Sequence, residues 1–263
     1  TVKDLLDLAW RAGDAIMAIY GDDRSWVEKA DRSPLTTADL ASHALILEGL
    51  SNLTPDVPVL SEESQQTELE HRFSWSRYWL VDPLDGTKEF IGRNGEFTVN
   101  IALIDQHVPL FGVVHVPATD VTYVGITGIG SFVIHQKSSA HPITVKAPVV
   151  SVPRIVGSKS HPSPLLSDYL EGLGDCILES IGSSLKFCRI ASGSADLYPR
   201  LGPTSEWDTA AGQAVLEAAG GHVVDLEGIP LRYNQRQSLI NPFFMAFGDP
   251  GRDWLAPLRS VQR

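Results

Sequence analysis

Two cysteines in 263 residues are too few for a disulfide framework. Cys176 and Cys188 lie in apolar stretches with no metal-ligand spacing, so both read as buried thiols of a reducing compartment. The eight histidines are scattered without an H-E-x-x-H pattern, and no zinc site of that kind follows. No apolar run approaches the roughly 20 residues needed to span a bilayer, and no basic segment leads into an apolar one at the start. A soluble, cytoplasmic chain is therefore expected. Basic runs and aromatic–basic interleaving are missing as well. With 32 acidic against 21 basic residues and a net charge of -11, a nucleic-acid polymer is a poor partner. There is no internal repeat, low-complexity stretch or long linker. At 43% apolar content the chain can bury a full core, as one domain or as two closely packed lobes.

What is present concentrates at one turn. The run Tyr78-Trp79-Leu80-Val81 reads as a strand buried on both faces, and Asp82-Pro83-Leu84-Asp85-Gly86-Thr87 follows directly. Asp, Pro, Gly and Thr build ordinary turns, but a fixed D-P-x-D-G-T string arises by chance in a chain this long on the order of once in ten thousand. Pro83 donates no ladder hydrogen bond, so strand pairing is expected to stop there. The Leu84 carbonyl would then join Asp82 and Asp85 as oxygen ligands of a hard cation such as Mg²⁺.

Three further segments carry acids. Glu206 to Gly221 reads as an Ala-rich helix with an acidic start and a glycine stop. Asp208 falls at its first turn, as a cap or as a ligand. Gly212, costly inside a helix by about 1 kcal/mol, marks a close backbone approach. Val57 to Ser61 is a short strand ending in Glu62 and Glu63. Ser33 to Asp39 opens an amphipathic helix with Leu40, Ala44, Leu47 and Leu50 on its apolar stripe.

The remaining pattern divides the chain. After a first helix carrying Leu5, Leu8, Ala12, Ala15, Ile16 and Ile19, strand signals at 97–104, 110–116, 121–126, 131–135 and 143–145 suit an antiparallel meander. Beyond Pro153 strands and helices alternate: strands at 154–156, 176–181, 222–224 and 243–247, helices at 164–173, 184–193 and 208–219. An α+β N-terminal lobe over 1–150, carrying most of the acidic candidates, and an α/β C-terminal lobe over 151–263, carrying Asp208, are expected.

Thr37-Ala38-Asp39, Ser61-Glu62-Glu63, Asp82 to Thr87 and Trp207-Asp208-Thr209-Ala210-Ala211-Gly212, in this order, resemble the lithium-sensitive, magnesium-dependent phosphatases of the inositol monophosphatase superfamily. Within it, Lys88-Glu89-Phe90, Gly95 to Ala102 and Ser180 to Cys188 resemble the bacterial 3'(2'),5'-bisphosphate nucleotidases of the CysQ type. The resemblance covers nearly the whole chain. It implies a layered αβαβα sandwich with the site between the lobes, and two or three Mg²⁺ ions held by Glu62, Asp82, the Leu84 carbonyl, Asp85 and Asp208. Glu63 is given a supporting part. Thr87 and Asp39 are implied as the proton-accepting pair that activates the attacking water, and amides around Gly86 and Thr87 as a phosphate cradle. Lys88 reads equally as an added charge or as a solvent-facing side chain.

For specificity the resemblance points to the C-terminal lobe. Ser184 and Lys186, after the Gly182 turn, are implied as substrate contacts, together with Glu62, Leu84, Asp85, Gly86, Thr87 and Asp208. Ser158, His161 and Arg200 are further candidates. Read without the resemblance, Ser-rich strand-to-helix loops are mostly caps. The implied activity removes the 3'-phosphate of 3'-phosphoadenosine 5'-phosphate in sulfate assimilation, by a monomer or homodimer acting on a small nucleotide. Weak peripheral attachment to the inner membrane is compatible with the resemblance, although no amphipathic basic helix argues for it. An inositol monophosphatase or fructose-1,6-bisphosphatase activity is the alternative on the same acids, and a non-catalytic phosphate sensor the alternative outside enzymes.

Overall fold

The computed structural model of the protein describes residues 1–21, 26–28, 34–64, 71–150, 152–158 and 164–261. Helix α1 (Val2–Tyr20) leads to a ribbon of β1 (Trp26–Glu28) and β2 (Pro34–Thr36), then to α2 (Thr37–Leu53). Next come β3 (Val59–Ser61), β4 (Arg77–Asp85), the short α3 (Thr87–Ile91), β5 (Thr98–Asp105), β6 (Val108–Val116), β7 (Val121–Ile126), β8 (Gly130–His135) and β9 (Ala140–Ile143). Strands β3 to β9 form a seven-stranded sheet in chain order, antiparallel except for the parallel β3–β4 pair. The chain continues as β10 (Arg154–Ser158), α4 (Pro164–Leu173), β11 (Ile177–Ile181), α5 (Leu185–Ala191), β12 (Leu197–Arg200), α6 (Ala210–Ala218), β13 (His222–Asp225), β14 (Phe244–Phe247) and α7 (Ala256–Val261). Its sheet has the order β11-β10-β12-β14-β13, with β10 parallel to both neighbours.

Alternation along the strands builds the layers, because successive side chains point to opposite faces. Trp79, Val81, Val99, Ile101 and Val113 pack against Leu8, Ile16, Ile46 and Leu50 of α1 and α2. Their neighbours Leu80, Ala102 and Val114 face the other way, onto Phe187, Val215 and Leu216 of α5 and α6. That middle helical layer also meets Val156, Tyr198 and Ala246 of the second sheet, whose opposite face packs Ile155, Leu197 and Met245 against Tyr169 and Trp254 near α4 and α7. The result is the expected αβαβα sandwich. Helix α6 seats so closely on the first sheet that a Cβ at Gly112 or Gly125 would strike its backbone, and one at Gly212 would strike the Phe187 ring. The mid-helix glycine thus marks a close approach of side chain to backbone.

Several boundaries differ from expectation. The buried face of α2 is Ala38, Asp39, Ser42, Ile46 and Leu50, while Leu40 is half exposed, since the helix turns a polar edge toward the DPLD segment. Strand β9 ends at Ile143 where a strand over 143–145 is expected, and α6 starts at Ala210 with Thr209 at its N-cap position. Strand β12, helix α7 and the β1–β2 ribbon carry too few residues for a periodic signal. Among the described residues no helix is long and apolar enough to cross a membrane. Cys188 is buried, whereas Cys176 is only partly so, and both are free thiols.

One buried group gives the fold a pH dependence. Burial pushes the His115 imidazole down to about 4, against the pull of Asp120 and Asp14. Its Nδ1 meets Thr122 Oγ1 at 2.9 Å, and a Cβ on Gly13 of α1 would overlap the ring. Below the ordinary value near 6.5 the unfolded chain takes up this proton more readily, so stability should fall from there toward pH 4 by up to roughly 1.4 kcal/mol per unit. Urea denaturation at pH 7 and pH 5 should show a larger loss for the native protein than for His115→Asn. Equal losses would place the acid sensitivity elsewhere.

Candidate active site

The DPLD segment does not end its strand. β4 runs on to Asp85, with Asp82 opposite Asn100 and Asp85 opposite Thr98, so three steps on one strand match two on its partner. The bulge accommodates Pro83, which needs no ladder donor there. It also brings Asp82 and Asp85 to one side, where regular pleating would send residues three apart to opposite faces. Ser42 Oγ donates to the Pro83 carbonyl at 2.7 Å, and Leu84 N donates to Asp82 Oδ1 at 3.0 Å. Gly86, at φ 92, turns the chain into α3.

Asp82, Asp85 and Asp208 each present a carboxylate oxygen, all within 4.8 Å of one another. Glu62 stands beside Asp82, its backbone N–H donating to the Val81 carbonyl at 3.0 Å. Burial, then the charges of Glu62, Asp85 and Asp208, hold the Asp82 carboxyl well above the usual range. Asp85 is pushed up to about 6 by burial and by Asp208, against the stabilising effect of Lys186, Ser184 and Asn100. Carboxylates gathered at a bulge, with Asp82 and Asp85 pushed up by burial and by their neighbours' charge, suit a hard divalent cation, which needs this all-oxygen donor set and offsets its repulsion.

The cluster is held from two directions. Asp85 Oδ2 accepts from Ser184 N (2.6 Å), Ser184 Oγ (2.7 Å) and Asn100 Nδ2 (3.3 Å). Asp208 Oδ2 accepts from Thr204 Oγ1 at 2.7 Å and Ser205 N at 2.9 Å. Asp208 is therefore fixed by the loop before it and does not cap α6, which has no side-chain cap. Ser184 likewise sits at the N-cap position of α5 without capping it, and lies buried beneath the site, its hydroxyl directed to Asp85 and to the Asp208 carbonyl. No motif in the sequence assigns a role to Asn100, Thr204 or Ser205. A lone amide in the apolar run 99–104 is the signal that marks Asn100.

Beside the cluster, Thr87 Oγ1 lies 3.3 Å from Asp39 Oδ1 and 3.5 Å from the Leu84 carbonyl. The other Asp39 oxygen accepts from Thr36 N (2.7 Å) and Thr36 Oγ1 (2.6 Å), in a capping box that starts α2. Asp39 thus serves the helix end with one oxygen and Thr87 with the other.

Asp85, Thr87 and Asp208 line a cavity of about 560 Å³ together with Lys186, Tyr198 and Arg200. Lys186 is 5% exposed, its Nζ donating to the Ser183 carbonyl at 2.6 Å and the Ile181 carbonyl at 3.2 Å and lying 5.2 Å from the centre of the Tyr198 ring. Burial brings the amine down to about 8 despite the nearby Asp85. Arg200 donates through Nη2 to the Pro203 carbonyl, and its buried Nε has no protein acceptor. The cavity is therefore lined by carboxylates and by buried cations alike. Gly86, Lys88 and Ser158 also line it, and His161 falls outside the described residues.

A five-layered fold with a carboxylate cluster beside a cavity of this polarity defines a phosphatase of the metal-dependent class. A model of the Inositol monophosphatase family matches residues 2–250, and the chain belongs to that family. It is 52% identical over 245 residues to the 3'(2'),5'-bisphosphate nucleotidase CysQ of Escherichia coli K12, an alignment covering 92% of this chain and 98% of that protein. The Salmonella typhimurium protein of the same name is 50% identical over 245 residues, with the same 92% and 98% coverage. Among solved structures, CysQ from Bacteroides thetaiotaomicron, a bacterial member of the inositol monophosphatase family, matches with a TM-score of 0.82 and 41% identity over 95% of this chain and 97% of that one.

Proposed function

We propose that the protein is a Mg²⁺-dependent 3'(2'),5'-bisphosphate nucleotidase that removes the 3'-phosphate of 3'-phosphoadenosine 5'-phosphate, leaving AMP, in the cytoplasm during sulfate assimilation. The observation that carries this reading is one cavity lined both by carboxylates of the ion cluster and by two buried cations, Lys186 and Arg200: a substrate with two phosphates can place one at the cluster and the other on the cations. In this reading Glu62, Asp82, the Leu84 carbonyl, Asp85 and Asp208 hold two or three Mg²⁺ ions. Residues 1–150 supply most of these ligands, while 151–263 supply Asp208 and the specificity residues. When bound, Mg²⁺ polarises the phosphoryl oxygens, lowers the pKa of the attacking water and offsets charge on the leaving oxygen.

The chain's own groups do the rest. Thr87 Oγ1 accepts the proton of the attacking water and relays its own to Asp39 Oδ1, while Thr36 engages the other carboxylate oxygen. Amides of Gly86 and Thr87 hold the scissile phosphate, and Lys186 and Arg200 bind the second one. Phosphate release measured in parallel from 3'-phosphoadenosine 5'-phosphate, inositol 1-phosphate and fructose 1,6-bisphosphate tests the assignment. Turnover should favour the nucleotide, and preference for either sugar phosphate would overturn it.

Lys186→Ala separates the two phosphate-binding roles. KM for the bisphosphate should rise about 10-fold or more, the worth of a charge-assisted hydrogen bond. Adenosine 3'-monophosphate, which lacks the second phosphate, should be hydrolysed equally by both proteins. Equal losses on the two substrates would assign Lys186 to the catalytic chemistry or to the fold.

A further inference from the structure

Behind the site lies an ionic arrangement that the proposed chemistry does not use. Glu206, two residues before Asp208, is 0% exposed, and both its carboxylate oxygens accept from the backbone N–H of Asn234, at 3.1 and 2.9 Å. The Asn234 side chain continues the chain of contacts. Its Oδ1 accepts from Arg72 Nη1, and its Nδ2 donates to the Arg72 carbonyl at 2.6 Å. Arg72, also buried, donates through Nη2 to the carbonyls of Arg236 (2.6 Å) and Gln237 (2.7 Å). A buried carboxylate and a buried guanidinium are thus joined through one asparagine held at φ 56.

The segment that Arg72 grips in turn holds the Asp208 loop. Glu206 N donates to the Leu239 carbonyl at 2.8 Å, and Asn241 N to the Thr204 carbonyl at 2.9 Å. Asn241 Nδ2 donates to the Ser205 carbonyl at 2.8 Å. Thr204 and Ser205 are the residues whose hydroxyl and amide fix the Asp208 carboxylate. On the other side, Arg72 stands a few residues before β4, the strand that ends in Asp82 and Asp85. Burying two opposite charges costs several kcal/mol per ion, and apolar replacements often match or exceed such a pair in stability. Stability alone is therefore a poor account of it. Orientation is a better one, because groups that hold a ligand through hydrogen bonds set its position, and their loss commonly weakens metal binding 10- to 100-fold.

We propose that Arg72, Asn234 and Glu206 form a buried ionic strut that positions Asp208 for ion binding, so that these three are positioning residues of the hydrolytic site. The proposal rests on the reading of the carboxylate cluster as an ion centre. Asn234→Gly tests it with little backbone disturbance, because glycine adopts the left-handed conformation and keeps the N–H bonded to Glu206 while the link to Arg72 is lost. Glu206→Gln is the second variant, removing the charge and keeping the shape. Mg²⁺ titration calorimetry without substrate, on folded protein, should show affinity weakened about 10-fold or more in each variant. At saturating Mg²⁺, KM for the bisphosphate should stay within about twofold of native. A purely structural role would lower the folded fraction and leave the affinity of the folded protein unchanged, and that result in Asn234→Gly would overturn the strut. Native protein that shows no Mg²⁺ binding would instead overturn the ion-centre reading itself.

Discussion

Replacing Asp85 with Asn should lower turnover on the order of 10³-fold or more, because the transition state loses one of the carboxylates that fix its compensating charge. The substitution is conservative in the fold. An Asn side-chain carbonyl can still accept from Ser184 N, Ser184 Oγ and Asn100 Nδ2, leaving its NH₂ to face the ions. Stability without metal should move the other way. The folded-state pKa of Asp85, raised to about 6, means that ionising this group disfavours the fold as pH rises through that value. Metal-free Asp85→Asn should therefore unfold at higher urea than native protein near pH 8, with the difference vanishing below about pH 4. Near-native Mg²⁺-dependent turnover in the variant would remove Asp85 from the ion centre.

Thr87→Ala should leave Mg²⁺ affinity nearly intact and lower kcat by roughly 10²- to 10⁴-fold, the range for lost acid–base assistance. Asp39→Asn should lower kcat similarly, and it should also destabilise α2 by about 1 kcal/mol, since one Asp39 oxygen belongs to the capping box with Thr36. If the hydroxyl and carboxylate act as one relay, the double variant loses little beyond either single change. Additive losses in kcat would reduce Asp39 to a helix-terminus group. The split between a stability loss confined to Asp39→Asn and a catalytic loss shared by both variants follows from the two separate tasks of the Asp39 oxygens.

Much of this site could be read along the chain because its acids stand in short runs tied to local structure. The D-P-x-D-G-T string marks its own turn, and Asp208 follows a tryptophan at the start of an Ala-rich helix. The antiparallel meander was legible for a similar reason, since its strands are long, apolar and punctuated by glycine. What escaped were features set by contacts distant in sequence. Ser184 looks like a helix cap, yet its hydroxyl serves an aspartate nearly a hundred positions earlier. Glu206 looks like a solvated residue at a helix start, yet lies fully buried beside Arg72 and Arg236, with burial pushing it up to about 7.

Sequence by itself determined which acids make up the candidate centre, the order of the longer elements and the glycine at which two helices meet. It misjudged Pro83, because whether a proline ends a strand or enters a bulge depends on the partner strand, here the one bearing Thr98 and Asn100. Tertiary structure alone decided which side of the strand Asp85 faces, which oxygen of Asp39 meets Thr87, and that Lys186 and Arg200 share a cavity with the acids. The physical reason is common to all three. Side-chain direction and burial are fixed by packing between layers, and that packing joins residues whose separation along the chain leaves no local pattern.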